Sequence, residues 1–344
     1  MRTAVNVAVQ KYYGKRLESS GDLQTGAASC GSSCRPAPRS VTEALSEVHP
    51  EVTKRFFGCG LPFPAKLEGC RVLDLGSGSG RDCYAFSKLV GPNGHVTGID
   101  MTQELVITAL QYVQYHQDKF GYKEPNVTFV QGYMENLNEA GIQSDSMDVI
   151  QLCYPDESLL TQRNEGGELY FSDMFASKII PDHMKQDAVL WGDGRLSVLA
   201  QSNLIGPQRG FQLSTPRLSE PHCALHFVGD ISYASGTYRL FKLPRSPAMS
   251  NATVTYKGTL AEFPDQLDFD SSHCFKKDVS VQVNGEMAAI LQSSRFSSDF
   301  KIQMLDKQDY DINIVLSSQY CHLNPFLLAD KLGSSVKQCS KTSK

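Results

Sequence analysis

The chain has 344 residues, of which 41% are hydrophobic and 20% are charged, and its formal net charge is −4. This composition supplies enough apolar side chains for two modest domains, and it excludes a nucleic-acid partner bound by bulk positive charge. No apolar run approaches the ~18 residues that a membrane span needs, and residues 1–20 lack the apolar core of a signal peptide. We therefore expect a cytosolic protein with neither a nucleic-acid nor a membrane partner.

The N-terminal part predicts two helices joined by a loop. Residues 1–20 are amphipathic, and residues 41–57 also have a helical pattern. Between them, residues 21–40 are rich in Gly, Ser and Pro and carry Cys30, which predicts an irregular segment. A glycine-flanked turn that carries Cys59 follows the second helix.

From Arg71 onward, apolar strands alternate with helices, which favours a parallel sheet. The predicted strands are 72–75, 95–99, 127–130, 147–152 and 168–173, and the predicted helices are 81–89 and 104–120. Only residues 153–167 connect the fourth strand to the fifth, and they show no clear apolar stripe. Such connections need at least about 10–12 residues, helix included, so fifteen can close one. Because Pro155 breaks a helix at its start and leaves room for only a short one, we expect this crossover to be truncated or irregular.

After Asp173 the periodicity weakens. A short helix is predicted near 179–191, and residues 200–222 have little pattern. Strands are then predicted at 224–228, 237–241, 252–256, 267–269 and 279–283, with a helix at 286–292 and a disordered tail at 333–344.

A glycine-rich turn is the strongest functional signal. The first predicted strand is followed by Gly76, Gly78 and Gly80, and the second ends at Asp100, where a ribose diol is usually held. The spacing differs from the G-x-G-x-x-G of dinucleotide sites, and Asp74 lies two residues before the first glycine. A carboxylate there disfavours a pyrophosphate and favours a cationic cofactor, so the pattern predicts S-adenosylmethionine.

The chain has ten cysteines, a high number for a cytosolic protein of this size. In a reducing compartment, cysteines are more often catalytic or metal-binding than disulfide-bonded. No two of them form a Cys-x-x-Cys pair, which argues against a zinc ribbon.

Several sequence words occur together with this turn. They are Tyr12-Tyr13-Gly14, Gly58-Cys59-Gly60, Asp74 to Tyr84, Gly132-Tyr133-Met134-Glu135, Gly166 to Asp173 and Ser294-Arg295-Phe296. On these words the chain resembles the arsenite methyltransferases over most of residues 8–300. The resemblance implies an α/β fold, a Rossmann-like class I methyltransferase with a mostly parallel sheet, followed by a smaller mixed α+β C-terminal region.

The resemblance also divides the chain into parts. They are an N-terminal helix and cysteine-bearing loop (1–45), an S-adenosylmethionine-binding methyltransferase domain (46–175), a remnant of the arsenic-binding region (176–250), a small C-terminal α+β region (251–332) and the tail (333–344).

Nine cofactor contacts are implied by the same resemblance. They are Asp74, Gly76 and Gly78 beside the methionine end, Asp100 on the ribose, Met101 and Gln103 flanking the adenine, Met134 and Glu135 at the adenine edge, and Phe57 closing over the cofactor.

The arsenic ligands implied by the resemblance are cysteines, since trivalent arsenic is a soft thiophile. Cys30 and Cys59 match two of the family's four cysteines, and Cys153 lies close to a third in an altered context. The fourth is absent, because Gly210-Phe211-Gln212 stands where the family has a glycine-phenylalanine-cysteine word. The altered segments are 151–166 and 193–215.

These observations lead to one main hypothesis and two alternatives. The chain methylates trivalent arsenic, with arsenite or its glutathione conjugate as substrate and thioredoxin or glutathione as reductant. One alternative is a catalytically impaired homologue that binds the cofactor and the metalloid. The other is a small-molecule methyltransferase with a different acceptor.

Overall fold

In the described part of the computed structural model, eight strands form the central sheet. They are β1 (Arg71–Leu75), β2 (His95–Asp100), β3 (Val127–Gln131), β4 (Met147–Leu152), β5 (Arg163–Ala176), β6 (Arg217–Glu220), β7 (His226–Val228) and β8 (Ile231–Phe241). Their spatial order is β3-β2-β1-β4-β5-β8-β6, with β7 also paired to β8. The strands β1 to β5 run parallel, and β8 is antiparallel to its neighbours β5, β6 and β7.

The structure describes only part of the chain. The described residues are 2–19, 22, 37–57, 63–143, 146–152, 163–178, 217–220, 226–228, 231–244, 250–270 and 272–305. The predicted short helix near 179–191, the tail, and Cys30, Cys59 and Cys153 lie outside these residues.

The helices that accompany the parallel strands agree with the predicted pattern apart from two interruptions. They are α1 (Arg2–Lys11), which continues into a π-helical turn at Tyr12–Arg16, α2 (Arg39–Ser46), α3 (Pro50–Lys54), α4 (Arg81–Val90), α5 (Gln103–Gln111) and α6 (Val113–Phe120). None of these described helices is long and apolar enough to span a membrane.

Both interruptions have a local explanation at one residue. The predicted helix 41–57 ends early, and Pro50 begins a new one, since proline suits the first turn of a helix. The His49 side chain caps this new helix by accepting the Glu51 N–H at 3.2 Å. The predicted helix 104–120 is interrupted at Tyr112, whose φ of −108° departs from helical geometry and whose ring stacks on His49 with 4.0 Å between centroids.

The connection between β4 and β5 is short. Strand β5 begins at Arg163, earlier than predicted, so residues 153–162 are left for the crossover. The two strands stay parallel, and the register slips between the pairs Met147–Arg163 and Val149–Glu168. Between these two pairs β5 advances by five residues and β4 by only two, and the extra residues of β5 include Gly166.

Apolar layers cover both faces of the parallel strands, as is usual for such sheets. Neighbouring residues of β1 alternate between the layers. One layer contains Val72, Val96, Val149, Tyr84 and Phe86, and the other contains Leu73, Leu75, Ile150, Leu169 and Leu240.

The C-terminal unit has its own core. Its elements are β9 (Ala252–Tyr256), β10 (Gln266–Asp268), β11 (Cys274–Lys276), β12 (Ser280–Val283), α7 (Gly285–Ser293) and β13 (Phe300–Met304). Strand β9 is central between β12 and β13, and β10 pairs with β11. Val254, Tyr256, Phe275, Ile290 and Phe300 are among its buried side chains.

A buried ion cluster joins this unit to the central sheet. Glu168 on β5 is fully buried and pairs with Arg239 on β8 and with Arg295, which follows α7, at 2.6 Å for the second pair. Burial alone would raise the pKa of Glu168, but the charges of the two guanidinium groups outweigh it and lower that pKa. Arg239 also donates to the Phe269 carbonyl, and Arg295 donates to the Ala65 carbonyl at 2.9 Å.

Gly166 permits the close contact between the sheet and α7. Its φ is +76°, and a Cβ on this residue would lie 1.9 Å from the Ser293 carbonyl oxygen. Its N–H donates to the Lys242 carbonyl at 2.8 Å. A side chain here would force β5 and the end of α7 apart, next to the Glu168 cluster.

The substitution Glu168→Gln tests the ion cluster. It leaves two buried guanidinium groups without their carboxylate, which typically costs about 3–5 kcal/mol of unfolding free energy. Glu165→Gln, at an exposed position of the same strand, should change that free energy by no more than about 0.5 kcal/mol. Urea unfolding followed by circular dichroism measures both, and equal midpoints for the two variants would contradict the interpretation.

Candidate functional site

The glycine turn lies at the carboxyl end of β1. Gly76, Gly78 and Gly80 have φ values of +80°, +54° and +88°, a region that side chains disfavour. A Cβ on Gly80 would lie 2.7 Å from the Phe129 ring, so the turn packs directly against β3. The Gly76 N–H donates to the Ile99 carbonyl at 2.8 Å, which holds the turn against β2.

Asp100 connects the turn to the end of β2. Its carboxylate accepts the Gly78 N–H at 2.9 Å and the Thr102 N–H at 2.7 Å. Burial raises the pKa of Asp100 above its ordinary value, and these hydrogen bonds act in the opposite direction. The acid is thus held at the sheet edge where open α/β folds bind ligands.

Asp74 lies beneath the turn and is buried. Its carboxylate accepts the Cys83 thiol at 3.1 Å. Burial, and then the charge of Asp82, raise the pKa of Asp74 to about 7, although the thiol and Arg81 act against the rise. A cationic group of a bound ligand would favour the ionised form of this acid.

Two buried polar atoms near Asp74 support a ligand there. Gln151 is the register neighbour of Asp74 on β4, and its amide donates to Asp82 at 3.4 Å. Among the described residues, the Gln151 Oε1 and the Ser77 Oγ are buried and have no hydrogen-bond partner. Buried polar atoms without partners are rare, and here they are suited to the donors of a cofactor.

The N-terminal helical segment lies over the end of β2. The Gln10 amide donates to the Met101 carbonyl at 2.8 Å and approaches the Tyr133 hydroxyl at 3.4 Å. The Tyr13 ring packs against Phe57 with 5.5 Å between centroids. These two rings therefore join the N-terminal helical segment to the residues that follow α3.

The remaining predicted cofactor residues surround the same edge. Met134 lies in a 3-10 turn, and a methyl group on Gly76 would lie 4.0 Å from its Cε. Met101 is half-buried, while Gln103 and Glu135 are exposed in the first turns of their helices. Eight of the nine predicted cofactor residues thus lie at or near the carboxyl ends of β1, β2 and β3, and Phe57 lies just after α3, beside the Tyr13 ring.

Sequence analysis missed several residues of this site. Gln10, Cys83 and Gln151 were not among the predicted contacts. Gln10 and Cys83 donate to the predicted residues Met101 and Asp74, and Gln151 is the register neighbour of Asp74. A buried Gln in an apolar strand was a usable signal, because polar side chains seldom occupy such positions without a partner. Gln10 carried no comparable signal in the helical pattern.

The three predicted arsenic ligands, Cys30, Cys59 and Cys153, lie outside the described residues. Of the described cysteines, Cys70 and Cys83 are buried and Cys274 is exposed. The described residues contain no group of three or more His, Cys, Asp or Glu side chains arranged to hold a metal ion.

Comparison with known proteins agrees with this geometry. A methyltransferase domain model matches residues 66–203, and a model described as the arsenite methyltransferase C-terminal domain matches residues 249–344. The arsenite methyltransferase of mouse is 43% identical over 87% of this chain and 83% of its own length. The human arsenite methyltransferase is 40% identical over 96% of this chain and 93% of its own length.

A solved structure gives the same result. The arsenic(III) S-adenosylmethionine methyltransferase of Chlamydomonas reinhardtii superposes with a TM-score of 0.72 at 35% identity, covering 79% of this chain and 98% of that one. The predicted α/β methyltransferase fold is confirmed, and S-adenosylmethionine is confirmed as the cofactor class. The chain belongs to the arsenite methyltransferase family of S-adenosylmethionine-dependent enzymes.

Proposed function

We propose that this chain transfers a methyl group from S-adenosylmethionine to trivalent arsenic held by cysteine thiolates. The observation that carries the proposal is the intact cofactor edge, in which Asp100 is fixed by the Gly78 and Thr102 N–H groups. This edge occurs in a chain that is 40–43% identical to mammalian arsenite methyltransferases over most of its length.

The cofactor is proposed to lie along the glycine turn. Asp100 would accept the ribose hydroxyls, and Asp74, Gly76 and Gly78 would lie beside the methionine end. Met101 and Gln103 would flank the adenine, with Met134 and Glu135 at its edge and Phe57 above. Three buried groups here can accept hydrogen bonds, namely the Asp74 carboxylate, the Gln151 Oε1 and the Ser77 Oγ. They support this orientation, because the methionine end of the cofactor carries an ammonium group that donates hydrogen bonds.

The bound cofactor supplies an electrophilic methyl group. The residues of this chain are proposed to hold the acceptor and to exclude water. Thiolates of Cys30, Cys59 and Cys153 would bind arsenic, whose lone pair would attack the methyl carbon while the carbon–sulfur bond breaks and S-adenosylhomocysteine leaves. This transfer would oxidise arsenic from As(III) to As(V), and two thiols would reduce it again by forming a disulfide. In terms of the predicted parts, residues 46–175 would bind the cofactor and carry Cys59 and Cys153, and residues 1–45 would contribute Cys30.

The thiolates require a reductant and a reducing compartment. We propose arsenite or its glutathione conjugate as the substrate, and thioredoxin or glutathione as the reductant that restores the thiols. The cytosol suits this chemistry because its thiol pools keep cysteines reduced.

An arsenite methylation assay with Cys59→Ser tests the function. Removing a thiolate ligand should lower turnover roughly a hundredfold, because the acceptor loses its position relative to the methyl donor. Cys274→Ser, at an exposed cysteine far along the chain, should leave turnover unchanged. Methylated arsenic is measured by liquid chromatography with elemental mass detection, in the presence of glutathione or thioredoxin.

Three results would contradict parts of the proposal. Absence of methylated product from the unsubstituted chain would reject arsenite as its substrate. Turnover that survives Cys59→Ser would favour a different acceptor. If arsenite binds weakly and Gln212→Cys strengthens its binding, the impaired-homologue alternative gains support.

The pKa of Asp74 predicts a pH-dependent cofactor affinity. At a pKa of about 7 the free carboxyl is partly protonated, and a cationic ligand binds only its ionised form. The affinity for S-adenosylhomocysteine should therefore rise about tenfold between pH 6 and pH 8. Isothermal titration calorimetry measures this, and Asp74→Asn should give weaker binding that is nearly independent of pH.

5′-Methylthioadenosine, which lacks the amino-acid end, is the matched control ligand. Its affinity should not change over the same pH range, since it has no ammonium group to pair with Asp74. A parallel slope for both ligands would mean that another group titrates, and would reject this assignment of Asp74.

A further inference from the structure

Ser79 is not among the predicted cofactor contacts. It joins the glycine turn to helix α3. Its hydroxyl is buried, donates to the Val52 carbonyl at 2.8 Å and lies 3.2 Å from the Arg55 carbonyl. The Val52 carbonyl belongs to the last turn of α3 and also accepts the Arg55 N–H at 3.3 Å, and the Arg55 carbonyl lies directly after the helix. Ser79 therefore caps the carboxyl end of α3 from within the cofactor-binding turn.

Two further contacts attach the same end of α3 to the site. The Arg81 guanidinium lies over the Phe56 ring, 3.1 Å from its centroid, and pairs with Asp82 at 2.6 Å. The Arg55 guanidinium donates to the Thr108 hydroxyl on α5 at 3.1 Å. The segment after α3 is thus held by the elements that begin directly after the glycine turn and after Asp100.

The opposite end of α3 is fixed independently of the cofactor site. The His49 N–H donates to the His116 Nε2 at 3.1 Å, and the His116 Nδ1 donates to the Tyr112 carbonyl at 2.7 Å. Burial lowers the pKa of His116 to about 4, so this ring stays neutral and keeps both bonds at neutral pH. One end of α3 is therefore fixed by His116, and the other end is held by Ser79 together with the Arg81 and Arg55 contacts.

The residues after this end of α3 belong to both proposed sites, the cofactor site and the arsenic site. Phe57 follows α3 closely and packs against Tyr13 at 5.5 Å between ring centroids. In sequence, Cys59 lies two residues after Phe57. A change in the glycine turn can therefore reach Phe57 and its contact with Tyr13 through the Ser79 hydroxyl, which is one of the contacts that hold this end of α3.

We propose that Ser79 is a positioning residue that couples the cofactor-binding turn to residues 52–57. When the turn holds the cofactor, Ser79 fixes the end of α3 and with it the position of Phe57. The link to arsenic rests on the proposed function, whereas the link to the segment itself does not.

Hydrogen exchange measured by mass spectrometry on a peptide spanning residues 53–63 tests the coupling. Saturating S-adenosylhomocysteine should slow exchange in this peptide in the unsubstituted chain. In Ser79→Ala the ligand-induced protection should be lost, while the affinity for the ligand falls no more than roughly tenfold, as expected for one hydrogen bond.

Ser87→Ala is the matched control. The Ser87 hydroxyl is equally buried, lies on α4 and donates to the Asn126 side chain at 2.5 Å, away from α3. A general loss of stability should affect both variants, whereas the protection of residues 53–63 should persist only in Ser87→Ala. If Ser79→Ala does not fold, Phe56→Leu, which removes the ring beneath Arg81, should reduce the same protection.

Protection that persists in Ser79→Ala, or that is absent from the unsubstituted chain, would overturn the coupling. Arsenite titrations with and without S-adenosylhomocysteine extend the test. The unsubstituted chain should bind arsenite about fivefold more tightly with the ligand, and Ser79→Ala should show a ratio near one. A chain that shows the protection but makes no methylated arsenic would reject the proposed function and leave the coupling intact.

Discussion

The buried carboxylate of Glu168 is the constraint on which the two units of this protein depend. It lies on β5 with no exposure to solvent, so both of its oxygens require cationic partners. One partner, Arg239, belongs to the central sheet, and the other, Arg295, belongs to the C-terminal unit. Neither unit can move away without leaving a charge buried and unpaired. The position of the C-terminal unit is therefore set by electrostatics as well as by apolar packing.

Arg239 extends this constraint from the central sheet into the core of the C-terminal unit. Its guanidinium lies 4.4 Å from the centroid of the Phe269 ring and 5.1 Å from that of Phe241. Flat guanidinium groups pack well on aromatic faces, and such contacts strengthen when water is excluded. The cluster is therefore continuous with the apolar core, which limits the cost of burying its charges.

A polar row connects this cluster with the cofactor edge. In the sheet register, Asp74 lies beside Gln151, Gln151 beside Tyr170, and Tyr170 beside Arg239, and all four are buried. Register neighbours point to the same face, and strands are about 4.8 Å apart, so Arg239 lies roughly 14 Å from Asp74. The Arg239 guanidinium is paired with Glu168 and lies too far from Asp74 to lower the pKa of that acid. The pKa of Asp74 therefore stays raised, and a cation bound beside it would have a large effect on its ionisation.

Much of the parallel sheet could be predicted from sequence because its strands are short apolar runs between glycine-rich turns. The ends of β1, β2 and β4 were predicted to within a residue or two. The breaks at Pro50 and Tyr112 were missed, because helical periodicity continues across both positions. Strand β13 was also missed, although Phe300 to Met304 alternates apolar and polar residues as a strand should.

The candidate site was likewise predicted only in part. The glycine turn and Asp100 could be predicted because their chemistry is local in sequence. Gln151 and Ser79 act through partners distant in sequence, at Asp82 and at Val52, and only the folded sheet brings these pairs together. Sequence spacing alone could not reveal either contact.

The two halves of the proposed reaction are constrained to different degrees. The cofactor half depends on backbone geometry. Three glycines have positive φ, and two backbone N–H groups donate to the Asp100 carboxylate, so these positions tolerate few substitutions. The proposed acceptor half would depend on individual thiols, and Gln212 stands where the resemblance implies a fourth cysteine. A missing thiolate would weaken the hold on arsenic by one ligand, but it would not remove the lone pair that attacks the methyl carbon. Loss of a thiolate would therefore lower both the affinity for arsenite and, because arsenic is less well placed beside the methyl donor, the rate of methyl transfer.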